Sequence, residues 1–234
     1  MARLPAMSHI LARAIAHALV ACALCAPLAA APASAGVLGK PKAVQLFGTM
    51  EFKGKLTALP LWLEVLGRLD QNPTLMPSPS LSAARQAKAE KLWKTLKAKA
   101  AKLSPMDTLK EINSFFNKWP YRLDTENWGR ADYWAAPGEF IARSGDCEDY
   151  SIIKYYALKE LGFTPMNLRI VALKDSIRGI GHAVLAVYLE DDAYILDNVT
   201  NLVLPHERYT HYVPHYSVNE LFRWAHIPVK KGGK

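Results

Sequence analysis

Beyond residue 25 the sequence holds one cysteine, Cys147, so no internal disulfide can staple the remainder of the chain. No segment repeats at a fixed period, which excludes a solenoid or propeller array. The D-x-[DN]-x-[DN]-G signature of an EF-hand is missing. His206, His211 and His215 cluster in PHERYTHYVPH, but without a Cys-rich or H-E-x-x-H pattern they read as a loop of exposed histidines rather than a zinc site. Acids are in the minority, 21 Asp and Glu against 29 Lys and Arg, for a formal charge of +8. The densest basic run, Arg85 to Lys102, places Leu92, Trp93, Leu96 and Ala100 at helical spacing between lysines, the pattern of a solvated helix face. No nucleic-acid motif accompanies it, so nucleic acid is not an expected partner. An acidic protein or an anionic surface suits the charge better.

What is present starts with a leader. Arg3 and Arg13 precede an Ala/Leu-rich run from Ala14 to about Ala31, and small residues follow at Ala33 and Ala35. That order predicts a secretory signal over residues 1–35 and export to an oxidising compartment. An uncleaved anchor is disfavoured by the alanine content and Pro32, and a lipid box at 19–22 by the apolar residues beyond Cys22. Removing residues 1–35 lowers the charge to +6 and leaves 199 residues, enough for one sizeable core. Cys22 and Cys25 leave with the leader. A lone thiol in an oxidising compartment then calls for a role.

Residues 58–73, ALPLWLEVLGRLDQNP, predict a helix closed before Pro73, followed by a Pro/Ser-rich linker at 74–82. Two more helices are expected, about Leu81–Leu103 and Met106–Lys118, the second capped by Ser104 and stopped by Pro120. Residues 168–174, 181–190 and 193–200 read as strands, with Asp191-Asp192 as the turn between the last two. Helices first and an antiparallel sheet afterwards predict an α+β domain over 36–234. It divides into a helical part at about 44–120, a core at about 121–228 and a basic tail at 229–234.

Cys147 sits at the junction, in SGDCEDYS. Ile152, Ile153, Tyr156, Ala157 and Leu161 repeat at helical spacing after it, and Gly162 supplies a stop, so Cys147 lies at a helix start. That position favours a thiolate through the helix dipole, by about 0.3–1 kcal/mol. The neighbours oppose it. A carboxylate about 5 Å from sulfur, at an effective dielectric of about 20, costs the thiolate roughly 3 kcal/mol. Asp146, Glu148 and Asp149 surround this cysteine. A solvated acidic turn with its acids aimed away from sulfur would resolve the conflict. His182 opens the second strand and Asp197 closes the third, so the two share a sheet face. In the Asp191-Asp192 register they are not opposite, and a bulge, another turn or strong twist must close the gap.

The stretches WAAPGEFIARSGDCEDYSIIKYYALKELGF (134–163), GHAVLAVYLEDDAYILDNVTNLVLPH (181–206) and YSVNELFRW (216–224) resemble the bacterial transglutaminase-like cysteine proteinases of the LapG type, from about Leu46 to Ile227. The resemblance implies a papain/transglutaminase-like α+β fold and a periplasmic endopeptidase that clips large surface adhesins and so controls biofilm attachment. It implies Cys147 as nucleophile, His182 as base and Asp197 as the group orienting the imidazole. Calcium would be held by Asp146 and Glu148, with Asp149 adding oxygen. It further implies sequestration by the periplasmic domain of an inner-membrane cyclic di-GMP receptor. An amine-accepting acyltransferase and a noncatalytic calcium-dependent binding module remain the alternatives.

Overall fold

The computed structural model describes residues 44–71, 75 and 81–229. The leader, most of the Pro/Ser-rich linker and the tail beyond Val229 lie outside the described residues. Strand β1 (Thr49–Gly54) precedes three helices, α1 (Pro60–Gln71), α2 (Ala83–Ala100) and α3 (Pro105–Phe116). Short α4 (Asp124–Asn127) and α5 (Pro137–Arg143) lead to α6 (Cys147–Glu160). Then come β2 (Leu168–Asp175), β3 (Ile180–Leu189), β4 (Asp192–Leu196), β5 (Leu204–Pro205), β6 (Tyr212–Val218) and β7 (Arg223–Pro228). The strands form one antiparallel sheet in the order β1-β7-β6-β2-β3-β4-β5. No helix among the described residues is long and apolar enough to cross a membrane.

Helix α6 is the axis of the core. Ile152, Ile153, Tyr155, Ala157 and Leu158 are fully buried between α3 and α5 on one side and the β2–β3 face on the other. Its stop comes at Gly162, whose φ of 97° suits glycine, with Phe163 N–H returning to the Leu158 carbonyl. At the start of α3 the Ser104 side chain accepts the Asp107 N–H at 3.1 Å, behind a proline that already lacks a donor. Trp62 of α1 is fully buried against Trp134 and Tyr155 and donates to the Asn219 carbonyl at 3.0 Å.

The hairpin that carries the second and third sequence-predicted strands turns through Glu190 and Asp191, because Leu189 pairs with Asp192. The expected Asp191-Asp192 turn is therefore one residue late. Glu190 takes a positive φ of 57° to close this two-residue turn. Other features depart from the sequence expectation. Residues 49–54 form an edge strand within the part expected to be helical, and the histidine-bearing segment ends in strand β6. His206 is buried rather than exposed: its Nδ1 accepts the Phe47 N–H at 3.0 Å, while His215 remains exposed.

Two polar groups bind the sheet's outer strands to its centre. The Arg169 guanidinium of β2 lies over Trp224 at 3.8 Å and over Tyr188 at 4.8 Å, and pairs with Glu51 of β1 at 2.5 Å. His226 of β7 bridges Thr49 of β1 and Ser217 of β6, each at 2.8 Å. Thr49 already donates its hydroxyl to the Leu46 carbonyl, so it accepts from His226 Nδ1–H, and Nε2 accepts from Ser217. Burial pushes the His226 pKa down to about 4. The unfolded chain therefore binds more protons than the folded one between about pH 4 and 6.5, and stability falls as pH drops through that window. Chemical denaturation at stepped pH should show a stability loss across this range that is reduced in His226→Gln.

Candidate functional site

The segment that delivers Cys147 is held by its backbone. Ser144 adopts φ 66° at the end of α5 and donates its hydroxyl to the Pro120 carbonyl. Asn127 holds the Ser144 carbonyl at 3.1 Å, and Arg122 N–H holds that of Gly145 at 2.9 Å. A Cβ on Gly145 would stand 1.9 Å from Asp149 Oδ2, so only glycine fits there. Asp149 is fully buried; its Oδ1 accepts Ala135 N–H at 2.6 Å and its Oδ2 accepts Asp146 N–H at 3.3 Å. It fastens the start of α6 to the segment ahead of α5.

Cys147, the first residue of α6, is partly buried. Its thiol donates to Glu148 Oε2 at 3.4 Å. Burial pushes the thiol well up, repulsion from Glu148 and Asp146 adds to it, and the Ala183 N–H alone opposes. Burial first, and the acidic neighbours second, thus favour the protonated thiol.

His182 Nε2 meets Asp197 Oδ1 at 3.0 Å. The observed register resolves the gap between them. With Leu185 opposite Leu196, extension of the ladder puts Asp197 two residues from His182 along the same face, half the offset of the Asp191-Asp192 turn. Asp197 is fully buried and saturated. Burial raises its carboxyl, but the His182 contact, the Tyr212 hydroxyl at 2.6 Å and the Val199 N–H at 3.1 Å outweigh that and hold it below the usual value. An ionised carboxylate only accepts, so Nε2 carries the ring hydrogen and Nδ1 is left as an acceptor. Tyr212 also packs its ring 5.7 Å from that of His182. Sequence reading did not find Tyr212, which reaches the site from β6 across β2.

The acidic cluster is larger than the three residues flanking Cys147. Carboxylate oxygens of Asp124, Asp146 and Asp149 lie within 4.8 Å of one another, as do those of Asp124, Asp132 and Glu148. Asp124 and Asp132 come from α4 and the loop after it, and only three-dimensional proximity ties them to SGDCEDYS. Burial pushes Asp124 up to about 6, with repulsion from Asp146 second. Glu148 and Asp149 are also raised, first by burial. Asp124 Oδ1 and Asp146 Oδ1 are buried without a hydrogen-bond partner among the described residues. Unpaired buried oxygens on mutually repelling acids fit a hard divalent cation. No histidine belongs to any such group among the described residues.

Comparison with solved structures finds LapG of Legionella pneumophila. One structure is 32% identical, covers 63% of this chain and 81% of LapG, and has a TM-score of 0.55. An EGTA-treated form is 31% identical over 67% of this chain and 88% of LapG, also at 0.55. A calcium-bound form is 28% identical over 74% and 90%, at 0.54. No curated protein matches the chain. The helices packed on a seven-stranded antiparallel sheet thus have the transglutaminase-like α+β fold. Residues 81–231, more than half of the sequence, match the family described as bacterial transglutaminase-like cysteine proteinase, and the chain belongs to that family.

Proposed function

We propose that this protein is a calcium-dependent endopeptidase whose triad is Cys147, His182 and Asp197. The reading rests above all on one observation: Cys147 opens α6, which packs on β3, and His182 of β3 is held at 3.0 Å by a buried Asp197. His182 Nδ1 takes the thiol proton, the thiolate attacks a peptide carbonyl, and the protonated imidazole gives its proton to the leaving amine. Water then releases the acyl group from sulfur. The Cys147 main-chain N–H, at the first position of α6 where no helical partner exists, is the available donor to the developing oxyanion.

Asp124, Asp146 and Glu148 would hold calcium, with Asp132 at the edge, while Asp149 combines any such contact with its grip on two N–H groups. Bound calcium supplies positive charge that cancels the carboxylate repulsion against the thiolate. Support comes from the unpaired oxygens of Asp124 and Asp146, and from the calcium-bound and EGTA-treated forms of the related LapG. The leader pattern supports a periplasmic location. By resemblance to LapG-type proteinases, the substrate is the N-terminal region of a large surface adhesin, cut to release the cell from a biofilm. The regulator is the periplasmic domain of a cyclic di-GMP receptor.

Incubation with such an adhesin fragment should give one calcium-dependent cut, lost in Cys147→Ala and reduced roughly 10²–10⁴-fold in His182→Ala. Amine incorporation without cleavage would instead indicate an acyltransferase. Asp124→Asn should weaken calcium binding roughly 10–100-fold by calorimetry; unchanged affinity removes Asp124 from the site.

A further inference from the structure

Lys154 lies two helical turns beyond Cys147 on α6 and is fully buried. Its Nζ donates to Asn113 Oδ1 at 2.8 Å and to Asn117 Oδ1 at 2.7 Å, both at the C-terminal end of α3. An ammonium can only donate, so it commits both amides to one orientation, oxygen toward lysine and nitrogen away. The two nitrogens then face one turn of the chain. Asn113 Nδ2 donates to the Thr200 carbonyl at 2.9 Å; Asn117 Nδ2 donates to the carbonyls of Asp197 and Thr200, each at 2.9 Å, and to Asn201 Oδ1 at 3.0 Å. Within that turn the Val199 N–H returns to Asp197 Oδ1.

We propose that Lys154 is a positioning residue for proteolysis: by fixing the polarity of the Asn113 and Asn117 amides it clamps the Asp197–Thr200 turn, so that the Asp197 carboxylate meets His182. The inference rests on the triad reading above. The clamp is set by the charged form. Burial lowers Lys154 to about 7 against the opposing pull of Asp197, and only the ammonium, which cannot accept, commits both amides. A methionine would fill the same volume without the cost of burying an amine. It would leave two amides free to turn a carbonyl oxygen toward the Asp197 and Thr200 carbonyls. Asn117→Asp makes the complementary change, because it keeps an acceptor for Lys154 and removes the donor to the turn.

The test uses the full chain loaded with calcium. Its first readout is the downfield imidazole N–H proton resonance of His182 hydrogen-bonded to Asp197, assigned by its loss in His182→Ala. The second is the rate of Cys147 alkylation by iodoacetamide at pH 7. Lys154→Met and Asn117→Asp should still unfold cooperatively, yet weaken the resonance and slow alkylation roughly tenfold, the scale of one hydrogen bond to a charged group. Asn117 is only partly buried, so its variant keeps the test available if Lys154→Met folds poorly. A wild-type resonance and rate in folded variants overturn the clamp. Unchanged alkylation in His182→Ala and Asp197→Ala overturns the triad reading itself, and the clamp with it. Loss in those two, with none in the Lys154 and Asn117 variants, removes the clamp alone.

Discussion

Carboxylates from two parts of the chain, Asp124 on α4 and Asp146, Glu148 and Asp149 at the start of α6, crowd the end of the helix that carries Cys147. Burial raises the carboxyls of Asp124, Glu148 and Asp149, and repulsion from Asp146 adds to each. Asp149 offsets this by accepting two backbone N–H groups, which also makes it the fastener of the loop. The remaining oxygens have no such compensation, and Asp124 and Asp146 each leave one buried and unpaired. In the proposed reading, calcium relieves this repulsion, and the same event releases the thiol from its proton. Loop architecture, metal dependence and nucleophile activation are then consequences of one electrostatic conflict.

The other half of the site is arranged in the opposite sense. Asp197 is as deeply buried as Asp149, but every direction around it supplies a donor: His182, Tyr212 and Val199 N–H. One buried acid is thereby kept ionised by hydrogen bonds, while those near Cys147 are pushed toward protonation by burial and by one another. The chemistry proposed here uses that contrast. A permanently charged acceptor orients the base, and a charge that must be cancelled governs the nucleophile.

The sequence exposed the parts of this arrangement that are local. Apolar spacing after Cys147 marks α6, and runs of β-branched and aliphatic residues mark β2, β3 and β4, because those elements bury a continuous face. Strands β1 and β6 were not legible for physical reasons. In β1, Thr49 is buried while Met50 and Phe52 are half exposed, which inverts the usual alternation. In β6, Pro214 sits where the pairing with β2 shifts register, and Ser217 rather than an aliphatic residue points inward. Asp124, Asp132 and Tyr212 lie far along the chain from Cys147, and no motif spacing connects them. His182 and Asp197 were legible as sharing a face. Their contact depended on a Glu190 turn residue with positive φ, a conformation a non-glycine residue does not advertise.

The most direct measurement is the alkylation rate of Cys147 at neutral pH, followed while calcium is titrated into chelator-treated protein, alongside a binding isotherm on the same sample. The account predicts a slow rate without calcium that rises and saturates with the midpoint of calcium binding. A rate that is already high in chelator, or that stays flat while calcium binds, would contradict the claim that the acidic cluster governs the thiol through the metal.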